Sequence, residues 1–119
     1  MRGPDFSHVK SAKKVAKLVR RGELERMLLL PSEFGGDEIP ENIVYVPVGI
    51  RAVKEQIDLT VIRPLVAEGK ATDYEAHPEY QGGSFIPIAI RIEASGPATF
   101  STLINIWGEA LERDDTGAG

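Results

Sequence analysis

The sequence predicts an α+β fold: a two-layer sandwich in which two helices cover a mostly antiparallel sheet, in the order α-β-β-α-β-β-β. Three observations carry that expectation. Ile86, Ile88, Ile90 and Ile92 alternate without a gap, the period-two pattern of a strand with one buried face. Ser95-Gly96-Pro97 separates that run from a second β-rich run, so the two pair as a hairpin. Two further stretches place apolar residues three or four apart and supply the helices. A chain of 119 residues fits a single domain, expected over residues 1–110, with 111–119 as a flexible acidic tail.

Taken in order, Ser7 or Ser11 caps a first helix that runs to about Arg21 and stops at Gly22. Val9, Ala12, Val15 or Ala16, and Val19 form its apolar stripe, and Lys10, Lys13, Lys14, Lys17 and Arg21 its basic face. Arg26 to Leu30 is a short aliphatic strand closed by Pro31. Residues 32–42 (SEFGGDEIPEN) combine glycines, a proline and acids, the composition of a solvated loop. Asn42 to Pro47 is β-branched and aromatic, hence a second strand.

Gly49 to Gly69 carries Ile50, Val53, Ile57, Val61 or Ile62, and Leu65 at helical spacing. Pro64 lies inside that pattern, so a kink near Thr60, or two shorter helices meeting there, is expected. Thr72 to His77, Ser84 to Glu93 and Ala98 to Trp107 complete the strands, and Gly108 onward is expected to fray. A parallel crossover and an edge addition both remain open for the third strand.

Charge divides the chain unevenly. The first 26 residues hold eight Lys or Arg against three acids, and residues 27–119 hold six against fifteen, so a basic segment precedes an acidic body. There is no cysteine, which excludes disulfides, thiolate metal sites and a cysteine nucleophile. MRGPDFSHVKSAKK has no apolar run after its charges, and the aliphatic runs are too short to span a bilayer. A bacterial-type cytoplasmic location follows as the expectation.

Catalytic signatures are missing from the sequence: no serine sits in a G-x-S-x-G elbow, and neither Gly35-Gly36 nor Gly82-Gly83 precedes the Lys-Ser or Lys-Thr of a phosphate loop. Asp73, Glu75 and His77 alternate on one strand and would point the same way. Three ligands from one strand cannot close around an ion without a further group that the sequence does not identify, so no metal, cofactor or catalytic residue is assigned. The lysine face could track a phosphate backbone, but no aromatic residue interleaves it and the body would repel a polyanion.

The acids keep different company. Asp37, Glu38 and Glu41 share a loop with Phe34, and Tyr74 and Tyr80 bracket the acids of the third strand; carboxylates steer a basic partner and aromatics anchor it. The stretches LPSEFGGDEIPENIVYVP (30–47) and HPEYQGGSFIPIAIRI (77–92) resemble segments of small single-domain bacterial proteins, some of them similar to immunity proteins of polymorphic toxin systems. That resemblance implies a stoichiometric inhibitor that covers a toxin domain with an acidic, aromatic-bearing surface.

The expectation is therefore a non-catalytic protein-interaction domain of the immunity type, directed at a basic toxin or nuclease domain through Phe34, Asp37, Glu38, Glu41, Tyr74 and Tyr80. The alternatives are a nucleic-acid-binding accessory protein using Lys10, Lys13, Lys14, Lys17 and Arg21, and a small metal-dependent hydrolase using His77 or Asp73. Phe85, Leu103 and Trp107 lie opposite the isoleucines, so either they form a homodimer face or the first helix folds across them.

Overall fold

Ser11 decides where the first helix begins. The computed structural model, which describes residues 4–112, gives Ser11 an extended backbone and lets its Oγ accept the Lys14 N–H at 3.1 Å, satisfying a donor the helix cannot use internally. α1 spans Ala12–Arg20. It ends where Glu23 N–H reaches back to the Leu18 carbonyl and Gly22 N–H to that of Val19, with Gly22 at φ 77°, a Schellman closure that only glycine makes without strain. The buried side is Val15 and Leu18, whereas Val19 is exposed. The stripe expected through Val19 is therefore rotated by one residue, and the lysines still face outward.

β1 (Leu24–Leu28) and β2 (Ile43–Pro47) pair antiparallel, Arg26 opposite Tyr45. β1 both starts and ends two residues earlier than the aliphatic run suggests, and it ends early because Leu30 bonds to a side chain in place of a strand. Asn42 Oδ1 accepts from Leu30 N–H at 2.8 Å and Nδ2 donates to Leu30 C=O at 3.0 Å. The loop between carries two 3₁₀ turns, Ser32–Phe34 and Pro40–Asn42.

The second helix is interrupted, as Pro64 requires. α2 covers Ile50–Ile57, a π turn Asp58–Ile62, and α3 Arg63–Ala67. Arg63 N–H bonds to the Asp58 carbonyl, and Thr60 Oγ1 donates to the Gln56 carbonyl at 2.7 Å. One extra residue in the turn carries the chain past a proline that has no N–H to donate. It also alters phase. In a regular helix four residues overshoot by about 40°; the wider π turn absorbs the drift, so Lys54, Asp58 and Ile62 all point into the protein.

β3 (Asp73–Glu79), β4 (Ala89–Ser95) and β5 (Thr99–Asn105) form a second antiparallel sheet in the order β3-β4-β5. The fold is thus α+β in the expected element order, with the strands divided between two small sheets and every pairing antiparallel. Pro78 is tolerated because β3 is an edge strand. Val44, Val46, Leu24 and Met27 from the first sheet, Ile62 from the helix and Ile90, Ile92 and Ile104 from the second meet in one core.

All four expected core isoleucines are buried, but the ladder opens only at Ala89. Phe85 N–H is taken by the Val9 carbonyl at 2.8 Å, Ser84 Oγ donates to the Phe6 carbonyl at 2.7 Å, and Pro87 has no N–H. The segment before α1 therefore stitches to residues 84–86. Trp107 lies beneath it, 1% exposed, with Nε1 donating to the Ile86 carbonyl at 3.0 Å and Phe6 meeting it edge-on.

This corrects the proposed dimer face. Trp107 is core and Leu103 is partly buried against it, which leaves Phe85, 46% exposed, as the most accessible member of that trio. Gly108–Glu112 does not fray but forms a 3₁₀ turn that buries Ala110. Of the expected tail, Leu111 and Glu112 belong to that turn, and 113–119 lie outside the described residues.

Candidate functional site

A cleft of about 470 Å³ opens between β1, the 32–42 loop and the interrupted helix. Its rim is charged and self-paired: Arg26 with Glu38 at 2.7 Å, Arg51 with Glu55 at 3.0 Å, and Arg63 gripping Glu33 through Nε at 3.0 Å and Nη2 at 2.7 Å. The floor holds Lys54 and Asp58. Lys54 Nζ donates to Asp58 Oδ2 at 2.8 Å and to the Tyr74 hydroxyl at 2.7 Å, and that hydroxyl donates to Asp58 Oδ1 at 2.7 Å.

The triangle is closed and nearly dry. The Lys54 and Asp58 side chains are 3% and 5% exposed. Burial lowers the Lys54 ammonium below the ordinary lysine value, against the opposing pull of the Asp58 carboxylate. Burial first, and then the bond to Asp58, push the Tyr74 phenol well above its ordinary value. Both carboxylate oxygens of Asp58 and the Tyr74 proton are engaged within the triangle, so the arrangement fixes the helix against β3.

That placement gives two of the expected partner anchors, both partly buried, a structural role. Tyr74 has its hydroxyl committed to Asp58, and Phe34 packs on the Tyr74 ring with centroids 5.6 Å apart. The two aromatics are brought together, but as part of the core surface. Asp37, Glu38 and Glu41 are exposed, and Glu38 is neutralised by Arg26. Tyr80 is 51% exposed, and burial of its other half raises its phenol. Lys10, Lys13, Lys17 and Arg21 are exposed and Lys14 is partly covered.

The solvent face of the three-stranded sheet gathers the second set of candidates. Asp73, Glu75 and His77 alternate outward along β3, as expected; the strand runs on past His77, so Glu79 continues the row, and Glu93 stands directly opposite Glu75, with Arg91 opposite His77. His77 Nε2 lies 2.7 Å from Glu75 Oε1, and Arg91 reaches Glu79 at 3.5 Å. Four carboxylates thus share a face with one guanidinium. Ligand atoms of Glu75, His77 and Glu93 lie within 4.8 Å of one another; Asp73 does not join them.

Sequence reasoning missed Lys54, Asp58 and Glu93. For the first two a signal existed: opposite charges four apart on the apolar stripe of Ile50, Ile57 and Leu65. Glu93 had none, because only the register of β3 on β4 selects it. Comparison with family models, curated proteins and solved structures finds no match to this chain.

Proposed function

We propose that this chain is a non-catalytic protein-interaction domain of the immunity type, which covers a basic partner domain with the acidic face of its three-stranded sheet. The observation that carries the reading is the charge of that face: Asp73, Glu75, Glu79 and Glu93 against Arg91 alone, on a rigid ladder. Such a surface raises the encounter rate with a cationic partner and disfavours anionic ones. Tyr80, next in sequence after Glu79, supplies an exposed aromatic anchor. The loop acids contribute less, since Glu33 and Glu38 are already paired with arginines.

The test is affinity capture from a lysate of the source cell with the wild-type chain and with a Glu75→Lys/Glu93→Lys variant, read by mass spectrometry. Basic proteins retained by the wild type and lost on charge reversal support the reading. Retention of the same proteins by both, or of none by either, removes it.

A second reading keeps one observation in its favour. Among the described residues no salt bridge engages Lys10, Lys13, Lys14 or Lys17, whereas Arg21, the last member of that face, is paired with Glu23 at 3.0 Å. Nucleic-acid binding there would show a steep fall of log affinity with log salt, abolished by Lys13→Glu/Lys17→Glu. A flat titration at low salt eliminates it.

A further inference from the structure

We propose that Glu75, His77 and Glu93 form a binding site for a first-row divalent cation, zinc being the reference ion, on the solvent face of the three-stranded sheet. The site does not depend on the partner reading, and it uses a residue that β3 alone cannot provide.

The geometry comes from the ladder. Glu75 and Glu93 are direct cross-strand partners, and His77 is two residues further along β3 on the same side. One ligand atom from each lies within 4.8 Å of the others. Donors about 2.1 Å from a common ion are separated from one another by about 3 to 4 Å. Closing the remaining gap takes rotation of the exposed Glu75 and the half-buried Glu93 side chains about their own bonds. The backbone is held by antiparallel pairing on both sides of β4, so the ligand spacing is set before any ion arrives.

Electrostatics favour the same assignment. Like charges directly opposite on neighbouring strands destabilise a sheet, and Glu75 faces Glu93. The arginine on this face is drawn to Glu79, away from that pair. A dication between the two carboxylates turns the repulsion into attraction. His77 Nε2 already lies 2.7 Å from Glu75 Oε1, so an arriving ion finds nitrogen and oxygen donors converged.

The donor set narrows the ion. One imidazole with two carboxylates suits zinc, and less strongly manganese, over magnesium or calcium, which take oxygen shells. A shallow depression of about 280 Å³ beside Glu75 and Glu93, lined also by Ser101 and Thr99, leaves room for waters to complete the shell. His77 is the reason this set differs from a merely acidic surface.

The experiment uses the full chain without a histidine tag, stripped with a chelator and titrated with zinc chloride by calorimetry, with magnesium chloride in parallel. One zinc per chain is expected, with little heat from magnesium. Glu93→Gln and His77→Gln each weaken zinc binding by at least about tenfold, the loss that even an outer-shell change produces. Asp73→Asn binds as the wild type does. Zinc raises the melting temperature of the wild type and not of Glu93→Gln, since an ion that binds only the native chain stabilises it by mass action. Melting of each variant without zinc confirms that it folds. A wild type that takes up no zinc at millimolar concentration overturns the proposal, and so does zinc binding that Glu93→Gln leaves intact.

Discussion

Lys54 Nζ lies 2.8 Å from Asp58 Oδ2 inside the protein, one α-helical turn apart at the entry to the π turn, with almost no solvent on either charge. The pair attracts strongly there but has given up its hydration, and the two terms nearly cancel. Removing one partner is a different matter. Lys54→Met leaves the Asp58 carboxylate buried with Tyr74 as its donor, and is expected to cost about 3–5 kcal/mol. Lys54→Met/Asp58→Leu should recover most of that loss, because it leaves no buried charge. Urea unfolding of the three proteins checks this, and a double variant as unstable as the single one counts against it.

Alkaline pH should weaken the fold through Tyr74. In the unfolded chain its phenol ionises near its ordinary 10.0, whereas burial and the bond to Asp58 keep it protonated in the folded state. Above that pH the native state therefore binds more protons than the unfolded one, and stability falls by up to about 1.4 kcal/mol per pH unit. Lys54 acts with the opposite sign. Its folded value is lowered, so it adds stability as pH climbs from that value toward its ordinary 10.5 and is silent beyond. Tyr80, also raised, adds to the loss. Chemical denaturation at about pH 9 and about pH 11.5 measures the slope; Tyr74→Phe should make it shallower, and an unchanged slope would contradict the assignment.

Gly36 is required by space. A Cβ built on it meets the Leu30 carbonyl, with the carbonyl carbon only 2.6 Å away and Asn42 Nδ2 at 3.0 Å. Gly36→Ala must therefore disturb the Asn42 bonds that close the loop, at about 1–3 kcal/mol. Gly83→Ala meets only the flexible Lys10 side chain, at 3.7 Å, and should stay within about 0.5 kcal/mol of wild type. Thermal melts of the two alanine variants discriminate these cases.

Trp107 and Phe85 should separate folding from association. Trp107→Phe leaves the buried Ile86 carbonyl without its donor, a loss of about 1–3 kcal/mol, with no change in sedimentation. Phe85→Glu, at an exposed position, should leave stability alone. If a dimer is present at micromolar concentration, this is the substitution that dissolves it; a dimer that survives Phe85→Glu does not use this face.

Local chemistry determined much of this protein without reference to its tertiary structure. The isoleucine alternation from Ile86 to Ile92, the hairpin at Ser95-Gly96-Pro97, the cap at Ser11 and the interruption before Pro64 each depend on residues within a few positions of one another, where period, sterics and missing donors act directly. The division into two sheets, the burial of Trp107 and the closed triangle of Lys54, Asp58 and Tyr74 were decided only by the tertiary structure. Each joins residues far apart in the chain: Phe6 to Ser84, Asp58 to Tyr74, Trp107 to Ile86. The acidic face shows the boundary clearly. Asp73, Glu75 and His77 are aligned by the two-residue repeat of one strand, but which residue stands opposite Glu75 is a matter of register, and register is set when two strands bury their apolar faces together.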